Sequence, residues 1–143
     1  MDGVPVLDMV REVQPDFSPR NVVEGFARDL KRYGVTDVQG DHWGGEFPRE
    51  LFREHGITYR PADHPKSDLY REWLPLLNAG RLQLLDLPRL KAQFCGLERK
   101  VARSGQESID HAPGGHDDVA NAVAGACVRA ARMRAAQTVR FAL

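Results

Sequence analysis

The 143-residue sequence has only two cysteines, Cys95 and Cys127, and no excess of either charge, with 20 basic and 20 acidic residues. Two thiols at helical positions form no disulfide framework, which argues for a reducing compartment, and the Cys and His spacings match no zinc ligand set. Balanced charge excludes a protein held to nucleic acid by bulk basicity. No apolar run approaches the ~20 residues that a membrane span needs, and the N-terminus lacks the charged-then-apolar pattern of a signal peptide. Repeats, low-complexity segments and the Gly-x-x-x-x-Gly-Lys-Ser/Thr phosphate loop are all absent, as is a glycine-flanked nucleophile elbow. The expected setting is therefore cytoplasmic, with no membrane partner.

What remains is the composition of a soluble globular domain, 42% hydrophobic and 28% charged, long enough to bury a core without metal or disulfide staples. Asp2-Gly3 reads as a hairpin turn leading into a strand over residues 4–13. Ser18-Pro19 opens a helix that Gly34 ends, followed by a strand to Gly40, a helix over 47–55 stopped by Gly56, and a strand over 57–60. A helix opens at Lys66-Ser67-Asp68, with Ser67 as its cap, and stops at Asn78-Ala79-Gly80. A short strand over 81–85, a helix over 88–100 and a polar loop over 102–115 precede the last helix. This alternation predicts an α/β layered domain over residues 1–134, with a central mixed, largely parallel sheet flanked by helices. Arg129, Arg132, Arg134 and Arg140, with no acid after Asp118, make the end of the chain locally basic, and residues 135–143 read as a basic C-terminal tail.

The informative stretch is Pro113-Gly114-Gly115-His116-Asp117-Asp118 at the mouth of an alanine-rich helix. One aspartate suffices as N-cap. The second is surplus to capping, and clustered carboxylates are how proteins hold Mg²⁺ or Mn²⁺. Asp41 stands at the C-terminal end of a strand, where ligands gather in sheets of this kind. Convergence of Asp41 with Asp117 and Asp118 would supply the carboxylates of a two-metal nuclease site.

These residues also carry a resemblance. The runs Gly40-Asp41-His42-Trp43-Gly44-Gly45-Glu46, Lys66-Ser67-Asp68-Leu69-Tyr70, Leu74-Pro75-Leu76-Leu77-Asn78-Ala79-Gly80 and Gly114-Gly115-His116-Asp117-Asp118-Val119-Ala120-Asn121-Ala122 together resemble the C-terminal nuclease domain of the large terminase subunit of tailed bacteriophages and prophages. The resemblance implies an RNase H-like fold and a metal-dependent endonuclease that cuts concatemeric viral DNA during genome packaging in the host cytoplasm. Its implied cofactors are two Mg²⁺ or Mn²⁺ ions. Double-stranded DNA, the terminase ATPase domain, the small terminase subunit and the portal are its implied partners.

Asp41 matches the family's second catalytic carboxylate, and the Asp117-Asp118 doublet matches the third. Asp118, which immediately precedes the helix, is the favoured direct ligand, with Asp117 in support. Lys66 matches a lysine placed near the phosphate. His116 is a candidate to orient an aspartate or carry a proton, and Glu46 either binds metal through water or stabilises its own helix. Asp110 and His111 share the loop before the doublet and stand as outer-shell candidates, whereas Tyr70 and Trp73 read as core. The family's first catalytic aspartate falls on a strand upstream of Asp2-Gly3, so the expectation is a nuclease domain incomplete at its N-terminus. The alternative is a catalytically inactive prophage remnant that keeps the fold and binds DNA or a packaging partner.

Overall fold

A computed structural model of the chain describes residues 3–40 and 46–141, with side chains described as far as residue 133. The described residues form two compact units, one of residues 11–63 and one of residues 1–10 together with 64–143. The expected α/β class is what the chain shows, its strands gathered in small sheets.

In the unit of residues 11–63, α1 (Pro19–Arg32), β1 (Asp37–Gly40), α2 (Glu46–Glu54) and β2 (Thr58–Pro61) follow in order. Proline at the first position starts α1, and Gly34, at φ +67°, ends it in a conformation that glycine adopts without steric cost. Strands β1 and β2 pair in parallel, from Asp37 opposite Thr58 to Gly40 opposite Pro61, which requires the crossover that α2 supplies. Val23 and Ala27 of α1 and Leu51 and Phe52 of α2 bury themselves with Ile57 in one small core. Glu46 opens α2 and pairs with Arg49 one turn on, at 3.1 Å. A carboxylate in the first turn suits the positive end of the helix.

The other unit holds α3 (Lys66–Asn78), α4 (Pro88–Cys95), β3 (Leu97–Val101), β4 (Glu107–His111) and α5 (Asp118–Phe141). Val119, Val123, Cys127 and Val128, with Ala120 and Ala124 between them, give α5 a buried stripe that packs with Tyr70 and Trp73 of α3 and Leu90 of α4. The two alanines are wholly inaccessible, and their small size lets neighbouring helices approach closely. Trp73 stacks on Phe94 with centroids 3.8 Å apart. Each such large apolar side chain contributes roughly 1.5–3 kcal/mol on burial. No helix among the described residues is long and apolar enough to cross a membrane.

Four elements differ from expectation. The N-terminal strand is reduced to one parallel bridge, Val6 with Gln83, and the strand expected over 81–85 to the other half of that bridge. Gln83 donates its N–H to the Pro5 carbonyl, and Pro5 has no N–H of its own with which to extend the ladder. The helix expected to reach Lys100 ends at Cys95, where Gly96 serves as its C-cap. Beyond it, β3 and β4 form an antiparallel hairpin from Leu97 opposite His111 to Val101 opposite Glu107, in place of the expected loop. The turn closes through Gly105 at φ +82° and the Ala102 N–H to Gln106 carbonyl bond of 2.9 Å.

Candidate metal centre

Three segments meet at the start of α5. The β4 end carries Asp110 and His111, the first turn of α3 carries Lys66 and Tyr70, and the Gly114-Gly115 turn delivers Asp117. Gly114 adopts φ +76°, and a Cβ on Gly115 would lie 3.1 Å from the Ala112 carbonyl oxygen. Both positions therefore favour glycine, and the turn brings Asp117 under α3.

Asp117 is the pivot. Its side chain is only 8% exposed, and a buried carboxylate is costly unless hydrogen-bonded and paired. Tyr70 donates its hydroxyl to Oδ2 at 2.8 Å, and Lys66 donates to the same oxygen at 3.1 Å. Lys66 and Tyr70 are four residues apart on α3, hence on one face of it. The Lys66 ammonium also reaches Asp110 at 2.6 Å, so a single cation serves two carboxylates.

The proton affinities follow. Burial works against the charge on Lys66, but its hydrogen bonds to Asp110 and Asp117 and the charges of both carboxylates outweigh it and hold the pKa above the ordinary lysine value. The hydrogen bond from Lys66 holds the Asp110 pKa below the usual carboxylate value, assisted by the N–H of His111 and against a small cost of burial. Tyr70 is pushed up, first by burial and then by the hydrogen bond to Asp117, so it remains a neutral donor.

Asp110, His111 and Asp117 each offer one ligand atom, and these atoms lie within 4.8 Å of one another. The His111 Nδ1 lies 2.9 Å from the Ala112 carbonyl. A ring that donates from Nδ1 presents the lone pair of Nε2, the arrangement that suits a metal ligand. That Nε2 lies 3.6 Å from Asp110 Oδ1, the same oxygen that the Lys66 ammonium reaches at 2.6 Å. The donor set of two carboxylates and an imidazole thus fits a divalent cation.

Among the residues singled out in the sequence, Lys66 and Asp117 are brought together. Asp118 is the exposed first residue of α5, next to the cluster but facing solvent, and His116 is exposed in the turn. Glu46 stands at the start of α2 in the other unit. Asp41 lies outside the described residues, as do His42, Trp43, Gly44 and Gly45. Ser67 is not a cap: Pro65 holds that position, and the Ser67 hydroxyl instead accepts the Ile109 N–H at 3.0 Å and donates to the Ile109 carbonyl at 3.3 Å. It thereby ties α3 to β4, the two elements that carry Lys66 and Asp110. The polar role of Tyr70 was hidden behind its burial, although the spacing of Lys66 and Tyr70 could have revealed it.

No protein-family model and no curated protein matches this chain. Its fold, however, recurs in solved structures. It is similar to the large terminase nuclease from thermophilic phage G20c, at TM-score 0.69 and 20% identity over 79% of this chain and 63% of that one. The same nuclease with bound magnesium matches at TM-score 0.67 and 22% identity over 78% of this chain and 61% of that one. The large terminase nuclease domain of Thermus phage P74-26 matches at TM-score 0.63 and 19% identity, over 79% of this chain and 60% of that one. The chain spans somewhat over half the length of these nucleases. It has the RNase H-like α/β fold of the large terminase nucleases.

Proposed function

We propose that this chain is the nuclease domain of a phage terminase large subunit, a metal-dependent endonuclease that cuts concatemeric double-stranded DNA during packaging. The observation that carries the reading is the Asp110, His111 and Asp117 cluster beside Lys66, set in a fold shared with nucleases that bind magnesium and cobalt. Asp117 is the direct ligand we favour over Asp118, because its carboxylate faces the other donors while Asp118 faces solvent. Asp41 and Asp118 stay proposed as catalytic carboxylates on the strength of the resemblance of their sequence runs to the family. Mg²⁺ or Mn²⁺ is the proposed ion, the bacterial host cytoplasm the proposed setting, and the ATPase domain, small subunit and portal the proposed partners.

A bound divalent cation would draw charge from the scissile phosphate and lower the pKa of an attacking water. The chain's own residues prepare for that chemistry. Tyr70 donates its hydroxyl to the buried Asp117 carboxylate and fixes its direction. Lys66, about one-third exposed, is a cation at the rim of the cluster and offers a phosphate oxygen a counter-charge. His111, with Nδ1 at the Ala112 carbonyl, directs Nε2 inward.

A second reading is favoured by Lys66 itself. Its ammonium already pairs with both carboxylates, so the cluster also holds together without metal, as a non-cutting remnant that binds DNA or a packaging partner would have it. Nicking of supercoiled plasmid in Mn²⁺ separates the two. Nicking abolished by EDTA and by Asp117→Ala and Asp41→Ala supports the nuclease. A folded wild-type chain that leaves the plasmid intact supports the remnant.

A further inference from the structure

We infer that Gln93 is a positioning residue that keeps the Asp117 carboxylate turned toward the metal centre by taking over its helix-capping duty. The inference rests on the reading of Asp117 as a metal ligand.

Asp117 occupies the N-cap of α5. The helix begins at Asp118, and the Asp117 carbonyl accepts the first intrahelical bond, from the Asn121 N–H at 2.7 Å. An aspartate at this position ordinarily turns its carboxylate back onto the N–H of the second or third helical residue. Here the third is Ala120, and its N–H donates instead to Gln93 Oε1 on α4 at 2.9 Å, in a buried site. The Asp117 carboxylate is thereby released, and it faces Tyr70 and Lys66.

The exchange carries a cost at position 93. Gln93 is 7% exposed, and its buried Nε2 has no hydrogen-bond partner among the described residues. A buried donor left unsatisfied is costly. An apolar side chain at position 93, with Asp117 in the usual cap geometry, would satisfy the Ala120 N–H without that orphan. The glutamine accepts that orphan, and one carboxylate keeps its bonds to Tyr70 and Lys66.

Crystal structures and Mn²⁺ titrations of Gln93→Met, Gln93→Leu and Gln93→Glu test the inference. Without an acceptor at position 93, the Met and Leu variants are expected to rotate Asp117 onto the Ala120 N–H, break the Tyr70 to Asp117 hydrogen bond and raise the Mn²⁺ dissociation constant by about 10-fold or more. Gln93→Glu keeps an acceptor and is expected to keep the Tyr70 bond. A Met or Leu variant that melts earlier yet keeps the Tyr70 bond and the wild-type Mn²⁺ affinity overturns the proposal and leaves Gln93 a structural cap. So does loss of the Tyr70 bond in Gln93→Glu. If wild type and Asp117→Ala bind Mn²⁺ equally, the metal reading fails by itself, and the direction of Asp117 in the variant crystals still decides the role of Gln93.

Discussion

The Tyr70 hydroxyl lies 2.8 Å from Asp117 Oδ2, joining the buried face of α3 to the residue that precedes α5. Tyr70 is 3% exposed, with its ring edge-on to Phe94, so the hydroxyl has little access to water in exchange. Replacement by phenylalanine keeps the ring packing and removes one of two donors to a buried carboxylate. Hydrogen bonds to charged groups contribute about 1.5–3 kcal/mol. Tyr70→Phe is expected to lose that much in urea denaturation, with an unchanged slope. A midpoint equal to that of wild type would mean that Lys66 alone suffices for Asp117.

That bond also marks where sequence reasoning reached and where it stopped. The glycine turn, the carboxylate doublet and Lys66 are local patterns, and they point to one edge of the candidate site. Which of two adjacent aspartates turns inward is a tertiary matter, decided by Gln93, 27 residues away on another helix from the Ala120 N–H it accepts. The hairpin β3–β4 was illegible because Glu98, Arg99, Lys100 and Val101 are all exposed, so no apolar alternation signals a strand. Asp110 and His111 were accordingly placed in a loop, and their convergence with Asp117 went unseen. The strand expected over residues 4–13 failed in the opposite way. Its apolar content was real, but only Val6 has a described bridge partner.

Two glycines are expected to respond oppositely to alanine. Gly125 lies within α5, and a Cβ there would sit 3.7 Å from Leu69 Cδ1, an ordinary contact. Gly125→Ala is expected to stabilise by about 0.5–1 kcal/mol through the reduced entropy of the unfolded chain. A Cβ on Gly40, the last residue of β1, would fall 2.7 Å from ring atoms of Tyr59, which stacks on Phe52. Gly40→Ala is expected to cost about 1–3 kcal/mol by overpacking. Thermal melting of both variants checks the signs, and an unchanged melting temperature for Gly40→Ala would show that Tyr59 repacks freely.

Stability should have a plateau with two shoulders. Tyr70 and Cys127 are held protonated above their ordinary pKa values chiefly by burial, and Lys66 by its two carboxylates against burial. Each contributes stability that is complete below its unfolded pKa, about 8.5 for a thiol and about 10 for the phenol and ammonium, and is lost as pH rises toward the higher folded value. Asp110, lowered by Lys66, contributes in reverse, present above about pH 4 and lost as pH falls. Urea midpoints from pH 3 to 10.5 should therefore be level near neutrality and decline beyond about pH 8.5 and below about pH 4. The Tyr70→Phe, Cys127→Ala double variant should show a shallower alkaline decline. An equal decline in that variant would assign the alkaline loss to other groups.

Lys66 stands where a divalent cation would compete with it. Its ammonium bridges Asp110 and Asp117 at 2.6 and 3.1 Å, so a cation entering the cluster must loosen at least one of these bonds. Lys66→Met removes the competitor and leaves two carboxylates facing each other, one of them buried. In EDTA the variant is expected to lose about 1–3 kcal/mol, since removing Lys66 takes one of two donors from the buried Asp117 carboxylate. Mn²⁺ should then restore more stability to the variant than it adds to wild type, because ligand binding stabilises by RT ln(1 + [L]/Kd) and the tighter site gains more at equal concentration. Melting in EDTA and at rising Mn²⁺ gives both numbers. If Mn²⁺ raises the melting temperature of Lys66→Met no more than that of wild type, Lys66 and the cation do not share a place, and the metal must be held by other carboxylates of the chain.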